Sequence, residues 1–500
     1  GAGRGQILRE IMVETMLIAL AGSMFGLWLG EMGIQGLSHL GIDQLPLGGE
    51  VSFNGRLALA AIVGATVIGA LVAMPISWFS LHGGLSAALK AEGRGGTATS
   101  AALRVRRFFI VAQIAFAFVL LVGAGLLGLS LRRAMAVSPG FQVDHIVTGQ
   151  FNLTWANYPE LGTFHKFFDR LDETAAGLPG ITAIGATAAL PLGGQGNTEG
   201  DGMTVKGYAP APGETGLLVH DDINVAGDYF KVMGIPLLSG RYLDKRDTTG
   251  TQLTCVVDET FARHYWPNGG AVGHEVCKGS GSLKDSDYFT IVGVVGSVKQ
   301  NGLTEAQGRG AMYEPFNRRF ARKYTLVART SLPPEAVANS LVQAVRKANP
   351  DVPLTNLGSM EVRVSNSLST RRTPALMAAI FAATALFLAS FGLYGVMAYA
   401  VAQRTREFGI RLALGAQGTD VLRLVFTEGV KLAVVGLVIG IALSLVLTRF
   451  MASILYGVQS SDPLAYGAVT LLIALVVAVA CLLPAHRATT VDPTVALRAD

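Results

Sequence analysis

Few residues in this 500-residue chain stand at spacings that do chemistry. His274-Glu275 opens the H-E-x-x-H pattern, in which two histidines one helical turn apart hold zinc and the glutamate serves as base, but Lys278 occupies the position of the second histidine. No G-x-x-x-x-G-K followed by Ser or Thr is present to cradle ATP phosphates, so nucleotide hydrolysis is not expected of this chain itself. Gly193-Gly194-Gln195-Gly196, just after Pro191, reads as a surface loop rather than a dinucleotide fingerprint, and His264-Tyr265 as a helix end or part of a core. No catalytic residue, metal ligand or resident cofactor is expected. Glu14 and Glu428 remain, because an acid inside an apolar helix is by default a candidate proton relay or ion site. Both are read as lying near a helix N-terminus at the membrane surface, where the macrodipole favours a carboxylate. With Glu31 and Lys431 the other charges near span ends, no series of acids, bases or histidines crosses the apolar stretches, which argues against a proton-coupled carrier.

The elements that position these residues are set by composition. Half of the chain is hydrophobic and only 15% is charged, with mean hydropathy +0.44, outside the usual range for a soluble chain of this length. The net charge of +5 could suggest nucleic acid, but the basic residues sit beside apolar runs instead of forming tracts interleaved with aromatics. Of the three cysteines, Cys481 falls in an apolar run, while Cys255 and Cys277 leave open one bridge or two free thiols.

About 20 mostly apolar residues are needed to cross roughly 30 Å of hydrocarbon. Six runs qualify: Ile11–Leu37, Leu57–Phe79, Phe108–Leu131, Pro374–Val401, Val430–Phe450 and Leu464–Leu483. Thr373 and Pro374 read as the cap and first turn of the fourth, whose run of nearly 30 residues exceeds the membrane thickness and could serve as a stiff lever. Between the third and fourth, residues 137–372 read as an α+β domain with alternating strands such as Phe289–Val295. Lys90, Arg94, Arg104, Arg106 and Arg107 before the third span, and Arg404, Arg406, Arg411 and Arg423 after the fourth, place those loops in the cytoplasm and the large domain outside.

An internal repeat refines this layout. A shift of 414 positions superimposes Gly1, Ala2, Leu8, Arg9, Glu14, Ala19, Gly22 and Gly26 on Gly415, Ala416, Leu422, Arg423, Glu428, Ala433, Gly436 and Gly440, and a shift near 408 brings Ala88–Ala91 onto Ala496–Ala499. The expected organisation is the remainder of a first helical module in 1–80 with two spans, a cytoplasmic linker in 81–107, a span in 108–131, and a second module in 374–500. That second module has three spans, an amphipathic cytoplasmic segment in 403–427 and a cytoplasmic tail. The first copy lacks its front, which, with Gly1 in place of an initiator Met, is the expectation for a truncated start. Gly22, Gly26 and Gly30, with Gly436 and Gly440, form small-residue stripes expected to pack helices closely.

After the fourth span, Arg406-Glu407-Phe408-Gly409-Ile410-Arg411-Leu412-Ala413-Leu414-Gly415-Ala416 resembles the coupling segment of the FtsX/MacB-type permeases, the type VII class of ABC transporter membrane subunits. The ending Pro484-Ala485-His486-Arg487-Ala488, then Val491-Asp492-Pro493 and Ala496-Leu497-Arg498, is similar to that family's C-terminus, and Asp492-Pro493 is in any case a good start for a short helix. In the outer domain Gly227–Arg241, Val257–Pro267 and Ile291–Val298 resemble the MacB-like periplasmic core domain. The duplicated layout looks like the double-length permeases of acidobacteria. The resemblance implies a membrane α-helical bundle with six visible spans and an inserted extracytoplasmic α+β core domain, in a bacterial inner membrane. It also implies a separate ATPase subunit that binds ATP and works the permease, membrane lipids around the bundle, a periplasmic protein partner, and export. Glu407, Arg411, Gly415 and Ala416, with Gly1 and Ala2 in the first copy, are then the ATPase-coupling candidates, although Glu407 and Arg411, four apart, could equally pair with each other. Lipid or lipoprotein extraction, and a non-transporting relay to a cell-wall enzyme or antimicrobial-peptide sensor, are the alternatives.

Overall fold

The structure, a computed structural model, describes residues 4–39, 55–82, 100–153, 161–193, 199–210, 217–249, 252–279, 284–305, 309–316, 323–414 and 417–489. The chain forms two units, Gly1–Arg132 with Ser369–Asp500, and Arg133–Leu368. In chain order the elements are α1 (Arg4–His39), α2 (Gly55–His82), α3 (Ser100–Met135), β1 (Ile146–Asn152), α4 (Leu161–Ala176), β2 (Ile181–Thr187), β3 (Glu199–Val205), β4 (Leu218–Gly227), α5 (Tyr229–Met233), β5 (Leu237–Gly240) and α6 (Lys245–Thr249). They continue as β6 (Thr254–Asp258), α7 (Glu259–Tyr265), β7 (Glu275–Lys278), β8 (Phe289–Val295), β9 (Ala311–Pro315), β10 (Lys323–Thr330), α8 (Pro334–Ala348), β11 (Leu354–Ser359) and α9 (Met360–Ser367). The last four are α10 (Ser369–Gln403), α11 (Thr405–Ala413), α12 (Gly418–Phe450) and α13 (Pro463–Thr489).

In the helical unit, apolar runs become helices because only a helix satisfies every backbone group of a single segment without water. Among the described residues five stretches are long and apolar enough to cross a membrane: Met12–Gly33, Arg104–Met135, Arg371–Gln403, Gly418–Phe450 and Pro463–His486. The other expected span lies on α2, whose described apolar run is Ala58–Ala70. Phe381, Phe387 and Phe391 of α10 are all exposed, which in water would be a liability and against lipid is ordinary. The core of the unit joins Ile114, Phe118, Val122 and Leu126 of α3 to Leu393 and Met397 of α10, Val421 and Val425 of α12, and Val469, Ile473 and Val477 of α13.

Three sequence expectations change in this unit. Helix α3 starts at Ser100, ahead of the expected Phe108, and α10 starts at Ser369, so Pro374 lies inside the helix rather than in the position just after its cap. Pro374 is the sixth residue of α10, past the first four N–H groups that have no intrahelical acceptor, so it withdraws one backbone hydrogen bond from the second turn. The small-residue stripes also behave unequally. A Cβ at Gly436 would lie 2.9 Å from Ile114 Cβ, and one at Gly440 2.9 Å from Phe118 Cβ and 3.2 Å from Ala115 Cα, so α12 and α3 meet almost backbone to backbone. Gly22, Gly26 and Gly30, by contrast, have nothing among the described residues within 4 Å of an added Cβ; on α1 a close approach is at Ala19, whose Cβ lies 3.0 Å from the Cβ position of Gly69 on α2. Glycine permits close approach but does not supply the neighbour. Gly440→Leu is therefore expected to cost about 1–3 kcal/mol by overpacking, and Gly22→Leu to stay within about 0.5 kcal/mol, as read by thermal unfolding in detergent.

In the second unit the strands pair in the order β11-β1-β10-β2-β4-β3-β7-β8-β6-β9, β5 adds to β8, and β4 also pairs in parallel with β9. The pairings β4–β3–β7–β8–β6–β9–β4 thus close a ring of six strands, with β2, β10, β1 and β11 continuing outward from β4. Helices α4 and α8 cover that extension, burying Phe151, Phe167, Leu171, Leu326, Leu341 and Val345. Met203, Val257, Phe261, Val276, Ile291 and Met312 fill the ring core. The strand expected at 289–295 is β8. Cys255 and Cys277 are both buried and free, which decides the open question against a bridge.

Candidate functional site

Helix α10 does not run straight into the coupling segment. The chain turns at Arg404, whose N–H donates to Val401 O (3.1 Å) while its carbonyl accepts from Phe408 N–H (2.9 Å), and α11 begins at Thr405. Phe408 is 1% exposed and belongs to the same core cluster as Val401, Val421, Val425 and Cys481. On the outward side Glu407 and Arg411 form an ion pair across one helical turn, each side chain 46% exposed. Ile410 and Leu414 flank them, 42% and 82% exposed. An exposed pair of this kind contributes roughly 0.3–0.5 kcal/mol; its effect is to fix the shape and charge of the presented face. Gly1, Ala2, Gly415 and Ala416 lie outside the described residues.

Helix α12 follows, opened by a reciprocal capping box between Gln417 and Asp420. Its N-terminal half carries two adjacent stripes at four-residue spacing, Asp420-Leu424-Glu428-Leu432 and Arg423-Thr427-Lys431. With Arg107 of α3 and Arg404 they line a cleft of about 640 Å³. Glu428 is held from two sides, by Arg107 Nη2 at 2.7 Å and Arg404 Nη1 at 3.3 Å, and Arg106 stacks over the Tyr399 ring at 4.0 Å. The sequence reading of Glu428 is corrected here. Glu428 lies three turns into α12, beyond the reach of the terminal dipole, and two guanidinium groups compensate its charge. Sequence reasoning missed this clamp because Arg107 and Glu428 are 321 residues apart. Glu14, at the matching place on α1, is exposed.

In the sheet unit, the abandoned zinc motif has a structural explanation. Glu275 opens a strand, not a helix, and Lys278 donates to Asp222 Oδ2 (2.5 Å) and Glu314 Oε1 (2.6 Å), whose side chains are each 1% exposed. Burial alone would lower the lysine's proton affinity, but the two carboxylates outweigh it and raise it. Arg241 grips Asp247 through two 2.7 Å bonds, and Gly240 before it has φ +72 with no room for a Cβ, which would collide with the Val292 carbonyl. The Ser-Gly-Arg of the sequence motif is therefore a backbone turn that aims a guanidinium. His220 donates from Nδ1 to Arg309 O and accepts at Nε2 from the Tyr265 hydroxyl (2.8 Å); burial lowers its pKa from 6.5 to about 4. Asp258 caps α7, accepting from Phe261 N–H (2.8 Å) and Ala311 N–H (3.0 Å), yet burial raises its pKa from 3.8 to about 6.

Together these features define a multi-pass membrane protein with a surface helix anchored in the bundle and an inserted strand-rich domain. Comparison with known proteins gives the family. Residues 379–493 match the FtsX-like permease C-terminal model and residues 108–351 the MacB-like periplasmic core domain, and the two cover more than two thirds of the chain. The chain belongs to the FtsX/MacB-like permeases, multi-pass proteins of the inner membrane with a periplasmic domain. Among its relatives is the pyoverdine export ATP-binding/permease protein PvdT of Pseudomonas aeruginosa, 26% identical over 44% of this chain and 33% of the relative. The macrolide export ATP-binding/permease protein MacB of Agrobacterium fabrum is 27% identical over 55% of this chain and 43% of that protein. The chain thus spans less than half the length of these curated relatives. The periplasmic region of MacB from Actinobacillus actinomycetemcomitans matches 47% of this chain and 97% of its own, with 14% identity and TM-score 0.31. By their names those relatives are ATP-binding/permease proteins of pyoverdine and macrolide export.

Proposed function

We propose that this chain couples ATP hydrolysis by a separate ATPase subunit, which binds the nucleotide, to conformational work by the periplasmic domain during export. The observation that carries the reading is α11: Phe408 fixes the helix to the bundle while Glu407, Arg411, Ile410 and Leu414 face outward. A helix so anchored passes a push on its outer face to α10 and α12 instead of yielding to it. Gly415 and Ala416 continue the contact in this proposal, and Gly1 and Ala2 serve the same end in the first copy. The relatives' names supply the direction, export, and neither macrolides nor pyoverdine is thereby assigned to this chain. A periplasmic protein bound to the core domain completes the assembly.

The test is charge reversal. Arg411→Glu removes the pair with Glu407 and places two acids on the presented face, and should reduce stimulation of the cognate ATPase at least tenfold while leaving membrane insertion intact. Unchanged ATPase association and stimulation in liposomes would sink the coupling role.

A further inference from the structure

The cleft between α3, Arg404 and α12 is lined by charges that the ATPase reading does not use. Four cations, Arg107, Arg404, Arg423 and Lys431, line it against two carboxylates, Asp420 and Glu428. Glu428 occupies Arg107 and Arg404, and Asp420 is engaged with the Gln417 backbone N–H at 3.1 Å. Arg423 and Lys431 have no carboxylate partner among the described residues. They stand two turns apart on one face of α12 with the Thr427 hydroxyl between them. Depth identifies what neutralises them. From Lys431 to Arg449 the helix carries 17 consecutive uncharged residues, and at 1.5 Å per residue the two charges are separated by about 27 Å, close to the hydrocarbon thickness. Lys431 therefore sits at the level of the cytoplasmic headgroups, with Val434, Val435 and Val438 exposed just below it for acyl chains.

We propose that this cleft binds the phosphate of an anionic phospholipid headgroup, held by Arg423 and Lys431 and flanked by the Arg107–Glu428–Arg404 clamp. A basic pocket between membrane helices on the cytoplasmic side suits a phosphodiester that cannot leave the plane of the bilayer. The same chemistry could accept free phosphate, and the experiment separates the two sources.

The full chain in detergent is titrated with phosphatidylglycerol and, separately, with phosphatidylcholine, and bound lipid is counted by native mass spectrometry. The wild type should prefer phosphatidylglycerol at least fivefold. The double variant Arg423→Gln/Lys431→Gln should lose that preference, while Arg449→Gln, at the other end of the same helix, should keep it. An unchanged preference in the double variant, or an equal loss in Arg449→Gln, overturns the site. Displacement of the lipid by millimolar inorganic phosphate overturns the lipid assignment. Each single variant, Arg423→Gln and Lys431→Gln, is run with a thermal melt, and a loss of preference without a shift in melting supports the site even if the double variant folds poorly.

Discussion

Phe408→Ala should uncouple the permease without dismantling it. The side chain is 1% exposed among Val401, Val421, Val425 and Cys481, and removing a buried phenyl ring costs about 3–5 kcal/mol. Helix α11 has nine residues, fewer than the roughly 12–15 at which an isolated helix becomes marginally stable in water, so its order depends on that anchor. Loss of about 3 kcal/mol from the local closing equilibrium corresponds to about a hundredfold faster amide exchange along α11. Exchange in α12 should change far less, because its 33 residues are held by their own stripe against α3. ATPase stimulation should fall with the ordering of α11. Phe408→Leu fills most of the space and should keep most of both. Normal exchange and normal stimulation in Phe408→Ala would show that α11 is held by something other than the ring, and the mechanism proposed above would lose its support.

That anchor was only half legible in the sequence. The amphipathic segment and its charges stand out at once, but an inward Phe and an outward Leu look alike until the facing helices are known. What could be read directly is what local physics decides alone: long apolar runs become spans, and the alternating run from Phe289 to Val295 becomes a strand with those limits. What could not be read are pairings across long separations. The parallel contact of β4 with β9 that closes the ring joins Asp221 to Ala311, and Glu428 finds Arg107 across 321 residues. The glycine stripes show the same limit from the other side. Gly22 and Gly436 occupy equivalent places in the repeat, but among the described residues Gly436 has α3 against it while an added Cβ at Gly22 meets nothing within 4 Å, a difference that equal spacing in the sequence does not reveal. Lys278 could be recognised as the end of a metal motif, but not as the centre of an ion triad with Asp222 and Glu314, since those acids come from strands far away in sequence.

The periplasmic domain carries two buried titrations that should oppose each other. His220 has its pKa lowered by burial from 6.5 to about 4, so the fold binds its proton less readily than the unfolded chain does. Its contribution to stability is full above about pH 6.5 and is lost as pH falls toward 4. Asp258 has its pKa raised by burial from 3.8 to about 6, so the fold binds that proton more readily. Its contribution is largest below about pH 4 and is lost as pH rises through 6. At about 1.4 kcal/mol per unit each amounts to about 3 kcal/mol, over nearly the same interval and with opposite sign, so these two contributions should nearly cancel between pH 4 and 7. Asp258→Asn keeps an oxygen for the Phe261 and Ala311 N–H groups but removes one titration, and should leave a domain that loses about 3 kcal/mol more than the wild type on acidification from pH 7 to 4. His220→Asn keeps a donor toward the Arg309 carbonyl and should gain stability over the same range. Urea unfolding of the domain in the full chain, followed by pulsed proteolysis at pH 4, 5, 6 and 7, reads the slopes directly. The slope is the informative quantity, because the loss of the Tyr265 contact in His220→Asn lowers its stability at every pH alike. Two variants with the wild-type profile would mean that neither group changes its proton affinity on folding. Opposite slopes would show that a domain exposed to the outside medium is buffered against acid by pairing a silent histidine with a silent carboxylate on the walls of one core.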